Sequence, residues 1–186
     1  MDKERNKNKF PPIVIALICI IIILIIGTIY ISKNKYHIFN KEKDVSDKVG
    51  YTIPKKFEKT FTYDDMASYS YSENSYSCHF SISVSEFNIY QDGKSYLESN
   101  FDYTLSDKVD QIEEEKINGI IWYSIKKVQK NNTTVYRYAT VKNEKVYDAE
   151  YSIYDYNYGD NADDGDNLCL TAKDEIIKSL KIKEIN

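Results

Sequence analysis

Hydrophobic residues follow three different patterns along this chain. Residues 13–31, IVIALICIIIILIIGTIYI, form one uncharged run in which fourteen of nineteen positions are Ile, Leu or Val. Apolar and polar residues alternate strictly in the middle of the chain, and helical spacing returns near its end. These patterns predict a membrane helix, then a sheet with one buried face, and helices that pack on it.

The apolar run has the length of a membrane span. At about 1.5 Å per residue it rises roughly 28 Å, close to the ~30 Å hydrocarbon core. The basic start, MDKERNKNK, also suits a cleaved signal peptide, but the run is too long and no pair of small residues follows it. We therefore predict a transmembrane helix at 11–32 between a basic cytoplasmic tail at 1–10 and a polar stalk at 33–49.

The remaining residues, 50–186, are predicted to form an extracytoplasmic domain. Lysines and arginines flank the run almost equally on both sides, so the charge rule alone leaves the orientation open. A short tail before a large domain favours the tail inside. The expected location is the cell membrane, crossed once, with the C-terminal domain outside.

Charge divides the chain in the same place. The first 49 residues hold nine Lys or Arg and five Asp or Glu, whereas the rest hold sixteen and twenty-four. An acidic domain argues against nucleic acid as a partner, because that binding needs clustered cations. The basic flanks of the run suit anionic lipid headgroups, so membrane lipid is the first expected partner.

The alternating pattern is clearest in SYSCHFSISVSE, residues 75–86. Every second residue is apolar or aromatic, and the residues between them are mostly serine. Such a strand belongs to an antiparallel sheet with one covered side. Further strands are predicted in YTI, FEKTFTY, MASYSYS, DKVDQIEEEKI, IIWYSIKKVQ, TTVYRYATV and KVYDAEYSIYDY.

Two helices complete the predicted domain. GKSYLESNFDYTL carries Leu97, Phe101 and Leu105 at helical spacing. TAKDEIIKSL has Thr171 as a candidate cap and an apolar stripe, and KIKEI follows as an edge strand. The fold class is α+β, an antiparallel sheet flanked by helices and preceded by one N-terminal transmembrane helix.

Three segments of the domain carry a family resemblance. They are YTIPKKFE at its start, INGIIWYSIKK at 117–127 and DEIIKSLKIK at its end. With these the chain resembles the PsbP/Mog1-like superfamily, and in particular its small membrane-anchored extracytoplasmic bacterial members. The resemblance implies an antiparallel sheet with helices and a binding or accessory role, and it supplies no catalytic residues.

Two cysteines lie outside the apolar run. Cys78 is on the predicted buried face of its strand, and Cys169 opens the segment of the last helix. In an oxidising compartment they can form a disulfide. The alternative is that both are small buried hydrophobic residues.

Tyr154, Tyr156 and Tyr158 have the parity opposite to the buried face of their strand. Exposed tyrosines are typical of surfaces that hold a protein partner or stack on a sugar. These three are the candidate partner surface, for an unknown envelope protein or glycan. The alternative is that a second layer of the fold covers them.

Other candidate sites are incomplete. In DNADDGDN, Asp160, Asp164 and Gly165 match three positions of a calcium loop, but Ala162 and Thr171 break it. His79 has Ser77 and Ser81 two residues away, without an orienting acid or the glycines of a nucleophile elbow. We therefore expect no catalytic, metal-binding or cofactor-binding residues, no cofactor, and no enzymatic activity.

The sequence thus favours a single-pass membrane protein with a non-enzymatic binding or accessory domain. Two alternatives remain open. One is a cell-envelope enzyme or metal-dependent hydrolase, which convergent carboxylates and His79 in a deep pocket would support. The other is a structural subunit of a membrane complex.

Overall fold

The structure is a computed structural model in which the chain forms two compact units, residues 1–39 and 40–186. It describes 12–33, 41–45, 48–73, 76–86, 89–101, 106–129, 133–155 and 163–183.

The first unit contains helix α1, Pro12–Lys33. Its described side chains are those of Val14 and of residues 17–26, and the latter are all exposed. Among the described residues, no helix combines the length and the apolar character that crossing a membrane requires.

The second unit is an α+β domain in which every strand pairing is antiparallel. The helices that follow α1 are α2 (Gly93–Asn100) and α3 (Asp163–Ser179). The strands are β1 (Lys41–Val45), β2 (Val49–Ile53), β3 (Glu58–Tyr63), β4 (Met66–Glu73), β5 (Tyr76–Ser85), β6 (Ser106–Val109), β7 (Glu113–Ile117), β8 (Ile120–Gln129), β9 (Thr133–Lys142), β10 (Lys145–Asp155) and β11 (Lys181–Ile182). A small sheet has the order β1-β2-β11, and a large sheet has the order β3-β4-β5-β10-β9-β8-β6, with β7 also paired to β8. The predicted α+β class with its antiparallel sheet is therefore confirmed.

The central pair β5–β10 gives the large sheet two different faces. Phe80 lies opposite Tyr151 and Ile82 opposite Ala149, and all four are buried. We call their side of the sheet the inner face. Because successive strand residues point to opposite sides, the serines and His79 between the apolar residues of β5 lie on the outer face.

Helix α3 and the small sheet cover the inner face. The buried stripe of α3 consists of Cys169, Ala172, Ile176 and Ile177, and the buried Leu180 follows directly after the helix. The stripe packs in one cluster with Val49, Tyr51 and Ile53 of β2 and with the inner face of the large sheet. Each large apolar side chain buried there contributes roughly 1.5–3 kcal/mol.

The prediction for the start of α3 is wrong. Thr171 was expected to cap this helix, but α3 begins at Asp163 and Thr171 lies in its middle. Cys169, two residues before Thr171, is buried in the core with the later residues of the helix, so the helix begins before the candidate cap. Gly165 lies near the start of the helix, and a glycine in a helix costs only about 1 kcal/mol.

Helix α2 packs on the outer face. Asp92 and Ser95 form a capping box at its start, and Leu97 and Phe101 pack with Ile125 and Ala139. Gly93 begins the helix directly above β9, where an added Cβ would meet the Ala139 carbonyl oxygen at 2.2 Å. Only glycine permits this approach. The helix predicted over 93–105 is shorter than expected, because it ends at Asn100 and Phe101 is already extended, while Leu105 lies outside the described residues.

A half-buried ion pair fixes α2 to the sheet. Arg137 of β9 donates two hydrogen bonds to Asp148 of β10, at 2.9 and 2.6 Å. The Tyr96 hydroxyl of α2 donates to the same carboxylate at 2.8 Å, and Arg137 donates to the Asn100 carbonyl at 3.0 Å. Burial, with Asp148 close by, raises the pKa of Tyr96 to about 12.

Two predicted strand assignments need correction. Residues 41–45, expected in the stalk, form β1 at the edge of the small sheet. Its charged sequence resembles a linker because charged residues are common in edge strands. The segment DKVDQIEEEKI was expected as one strand, yet it forms β6 and β7, which both pair with β8. Asn118 and Gly119 form the turn that connects β7 to β8, with φ values of 47° and 85°.

A disulfide joins Cys78 of β5 to Cys169 of α3. The Cα atoms are 5.8 Å apart, and both residues are buried in the core between the sheet and the helix. The bond closes a loop of 91 residues, so it constrains the unfolded chain strongly.

Removing this bond is expected to destabilise the domain. The double substitution Cys78→Ala and Cys169→Ala should lower the free energy of unfolding by about 4–5 kcal/mol, from the entropy of the released loop. Urea unfolding of the full-length protein in detergent, followed by fluorescence of Trp122, measures this. Cys19→Ala, in α1, is the matched control, and an equal loss in that variant would contradict the expectation.

A candidate binding groove beside the C-terminal helix

A cavity of about 370 Å³ opens between α3 and the strands β7, β8 and β9. Its floor is the inner face of the large sheet, one wall is α3, and the other is β7 with the segment before it. We call this cavity the α3 groove. It is lined by Asp110, Gln111, Glu113, Glu115, Ser124, Ile125, Lys126, Tyr136, Tyr138, Lys173, Asp174, Ile177 and Lys178.

The hairpin turn at Asn118 sets the width of this groove. The Asn118 side-chain amide donates to the carbonyl oxygens of Lys178 and Leu180, at 3.0 and 2.9 Å. These carbonyls lie at the end of α3, where helical partners are lacking. The turn therefore caps the helix and holds β7 beside it.

Two lysines meet over one tyrosine on the floor. Lys173 of α3 places its ammonium 4.2 Å from the centre of the Tyr136 ring, and Lys126 of β8 places its own at 5.5 Å. Lys173 also pairs with Asp174 at 3.1 Å. These cations are thus stabilised by a ring and a carboxylate of the domain itself.

Tyr138 lies next to this pair and is surrounded by carboxylates. Its side chain is almost entirely buried, with 6% of the residue exposed. Burial, together with the charges of Glu115, Asp174 and Glu113, raises the pKa of the Tyr138 hydroxyl well above its usual value. The group therefore remains a neutral hydroxyl at physiological pH, able both to donate and to accept a hydrogen bond.

The lining suits recognition of a polar ligand. It combines four carboxylates, three lysines and two tyrosine rings in a cavity of the size that ligand sites commonly have. Among the described residues, no three His, Cys, Asp or Glu side chains lie close enough to hold a metal ion together.

The predicted partner surface is described only in part. Tyr154 is 36% exposed near the end of β10, on the outer face. Tyr156 and Tyr158 lie outside the described residues, so the surface of three tyrosines stays a prediction. The structure does not bring Tyr154 to the α3 groove, because the groove opens on the inner face.

His79 contacts a serine that sequence spacing did not suggest. Its Nε2 is 2.6 Å from the Ser68 Oγ of β4, and the Thr60 hydroxyl donates to that Oγ at 2.8 Å. Ser68 is fully buried, so a substrate cannot reach it as a nucleophile. Burial lowers the pKa of His79, and the charge of Glu150 opposes this.

The residues of the candidate calcium loop are only partly described, and those that are belong to a helix. Asp160 lies outside the described residues, whereas Asp164 and Gly165 belong to the first turn of α3. Their backbone is therefore helical and does not form the loop that the sequence suggested.

Sequence analysis missed the groove residues. Tyr136 and Tyr138 were assigned to a strand without a role, and so were the three glutamates at 113–115. Glu113 and Glu115 are exposed, and they face the groove. The alternation of Tyr136 with Tyr138 was the available signal, although only the packing of α3 gives it meaning.

Comparisons with known proteins support the fold. No protein-family model and no curated protein matches this chain significantly. The solution structure of cyanobacterial PsbP (CyanoP) from Synechocystis sp. PCC 6803 matches with a TM-score of 0.51 and 11% identity, covering 78% of this chain and 93% of that one. A crystal structure from Bacteroides thetaiotaomicron VPI-5482 has a TM-score of 0.49 and 13% identity, covering 77% of this chain.

These likenesses have a limited meaning. The chain spans about half of the Bacteroides protein, 48% of its length, and that match carries no argument at its TM-score. The likeness to CyanoP, at 11% identity, shows the fold alone. The PsbP-like fold of the predicted resemblance is thereby confirmed.

His79 should make the stability of the domain depend on pH. Since its pKa is lowered on folding, the unfolded chain takes up a proton first as the pH falls below about 6.5. Stability should then decrease from about pH 6.5 downward, until the folded protein is protonated as well. Urea midpoints at pH 7.5 and 5.5 measure this decrease.

The matched variants are His79→Asn and His37→Asn, which replace the two histidines of the chain one at a time. His79→Asn should show a smaller decrease between these pH values, and His37→Asn should keep that of the wild type. An unchanged decrease in His79→Asn would contradict the assignment.

Proposed function

We propose that this chain is a single-pass membrane protein whose extracytoplasmic domain is a non-enzymatic accessory module, with the α3 groove as its binding site. The groove is the observation that carries this proposal. It is a ligand-sized cavity whose lining is rich in charged and hydrogen-bonding groups, on a domain with a PsbP-like fold.

The membrane anchor in this proposal is supported by the sequence. The uncharged run of nineteen residues extends beyond the ten consecutive side chains that the structure describes in α1. A helix of these residues satisfies its own backbone groups in lipid. The basic tail before the run favours anionic headgroups on the inner side.

The outer location of the domain is supported by the disulfide. Cys78 and Cys169 are buried and bonded, and bonds of this kind persist in oxidising compartments. A reducing cytosol would disfavour this bond.

Catalysis is not part of the proposal. His79 lies opposite Ser152 of β10, whereas Tyr136 of the groove lies opposite Tyr151. Neighbouring residues of one strand point to opposite faces, so His79 and the groove carboxylates lie on different sides of the sheet. The combination that would favour a hydrolase is therefore not assembled in one pocket.

Labelling of single cysteines in intact cells tests the location. In a variant with Cys19, Cys78 and Cys169 replaced by alanine, Glu98→Cys places a thiol on exposed α2 and Lys3→Cys places one in the tail. A membrane-impermeant maleimide should label the first in intact cells and the second only after permeabilisation. The reverse pattern, or release of the protein by washing at high pH, would overturn the anchor or its orientation.

Site-specific photocrosslinking in cells tests the groove. A photoreactive residue at Lys178, on the groove wall, should give a discrete adduct, while one at Lys94 on α2 should not. Equal adducts at both positions, or none at Lys178, would reject the α3 groove as the binding site.

A further inference from the structure

The carboxylates of the α3 groove come from separate elements and converge on one hydroxyl. Glu113 and Glu115 alternate along β7, and Asp174 reaches the same place from α3. All three contribute to the electrostatic environment of the Tyr138 hydroxyl. Asp110 lines the same cavity from the segment before β7.

Two of the three lysines of the groove lie at the Tyr136 ring. Lys173 lies over the Tyr136 ring and pairs with Asp174, and Lys126 lies over the same ring. Within the described part of the chain, neither Glu113 nor Glu115 forms an ion pair. Lys178, the third lysine, lies beside the Asn118 turn. Near Tyr138, Glu113 and Glu115 therefore outnumber the remaining lysine, and the negative charge is in excess.

The Tyr138 hydroxyl is an unused hydrogen-bonding group. The residue is 94% buried, since 6% of it is exposed, and it lines the cavity. No described residue forms a hydrogen bond with this hydroxyl. A ligand in the cavity would supply a hydrogen-bond partner for it.

We propose that the Tyr138 end of the α3 groove binds a primary ammonium or guanidinium group. Its N–H groups would donate to Glu113, Glu115 and the Tyr138 oxygen, as charge-assisted hydrogen bonds. This inference rests on the proposed binding function of the groove and names its ligand class. The lysines near Tyr136 repel a second cation, so the ligand carries a neutral or anionic group at that end.

Calorimetric titration of the full-length protein in nonionic detergent tests the ligand class. The probe is the peptide acetyl-Ala-Lys-Ala-amide, and its matched control replaces lysine by norleucine, which keeps the length and removes the charge. The lysine peptide should bind at least tenfold more tightly, because a charged hydrogen bond contributes on that scale. Equal affinity of the two peptides would overturn the proposal.

Small cations distinguish the two sources of such a group. Butylamine and methylguanidine carry the same charge without a peptide backbone. Binding as tight as that of the lysine peptide assigns the site to free amines, whereas much weaker binding assigns it to a basic side chain of a protein. If none of these probes binds while the Lys178 adduct forms, the ligand class is wrong and the binding function stands.

Three variants locate the cation. Tyr138→Phe removes one oxygen from the wall and should lower the affinity for the lysine peptide several-fold. The double variant Glu113→Gln and Glu115→Gln should lower that affinity about tenfold or more. Glu98→Gln, an exposed carboxylate on α2, should leave affinity unchanged. Trp122 fluorescence confirms that each variant is folded. Unchanged affinity in both groove variants would overturn the site.

Discussion

The packing of α3 on the inner face of the large sheet is the contact on which the rest of the second unit depends. The inner faces of β5 and β10 are continuous apolar surfaces that an antiparallel sheet cannot leave in water. Helix α3 covers them with one stripe, and the disulfide from Cys78 to Cys169 fixes its first half. Its second half is tied to β2, whose Thr52 amide donates to Ser179 at 2.8 Å.

The α3 groove follows directly from this packing. The stripe of α3 faces the core, so the adjacent positions Lys173, Asp174 and Lys178 face along the sheet toward β7. Asn118 then holds the hairpin against the end of the helix and closes the second wall. Core and candidate site are thus two sides of one helix, and a change that moves α3 affects both.

Period-two alternation predicted the sheet well because one residue of slippage would turn every apolar side chain of a strand toward water. The same logic applies to β10, in which Tyr147, Ala149, Tyr151 and Ile153 share a buried face. It was less informative for β1 and β7, since charged edge strands resemble loops. The start of α3 was predicted too late, because Gly165 and the acidic residues around it do not resemble the first turns of a helix.

The groove could not be predicted from local sequence. Tyr138 and Glu115 are 23 positions apart, and Tyr138 and Asp174 are 36 apart, so their proximity depends on strand order and on the placement of α3. The pairing partner of His79 was missed for the same reason, because Ser68 lies on the neighbouring strand. Alternation along one strand shows which face a residue occupies and gives no information on what lies across from it.

Hydrogen–deuterium exchange of the full-length protein in detergent tests the seating of α3 most directly. The account predicts that amides of 168–179 exchange as slowly as those of β5 and β10 in the oxidised protein. Reduction of the disulfide should accelerate exchange in α3 before it does so in the central strands. Fast exchange of α3 in the oxidised protein, beside a protected sheet, would show that the helix does not build the core and would contradict the account.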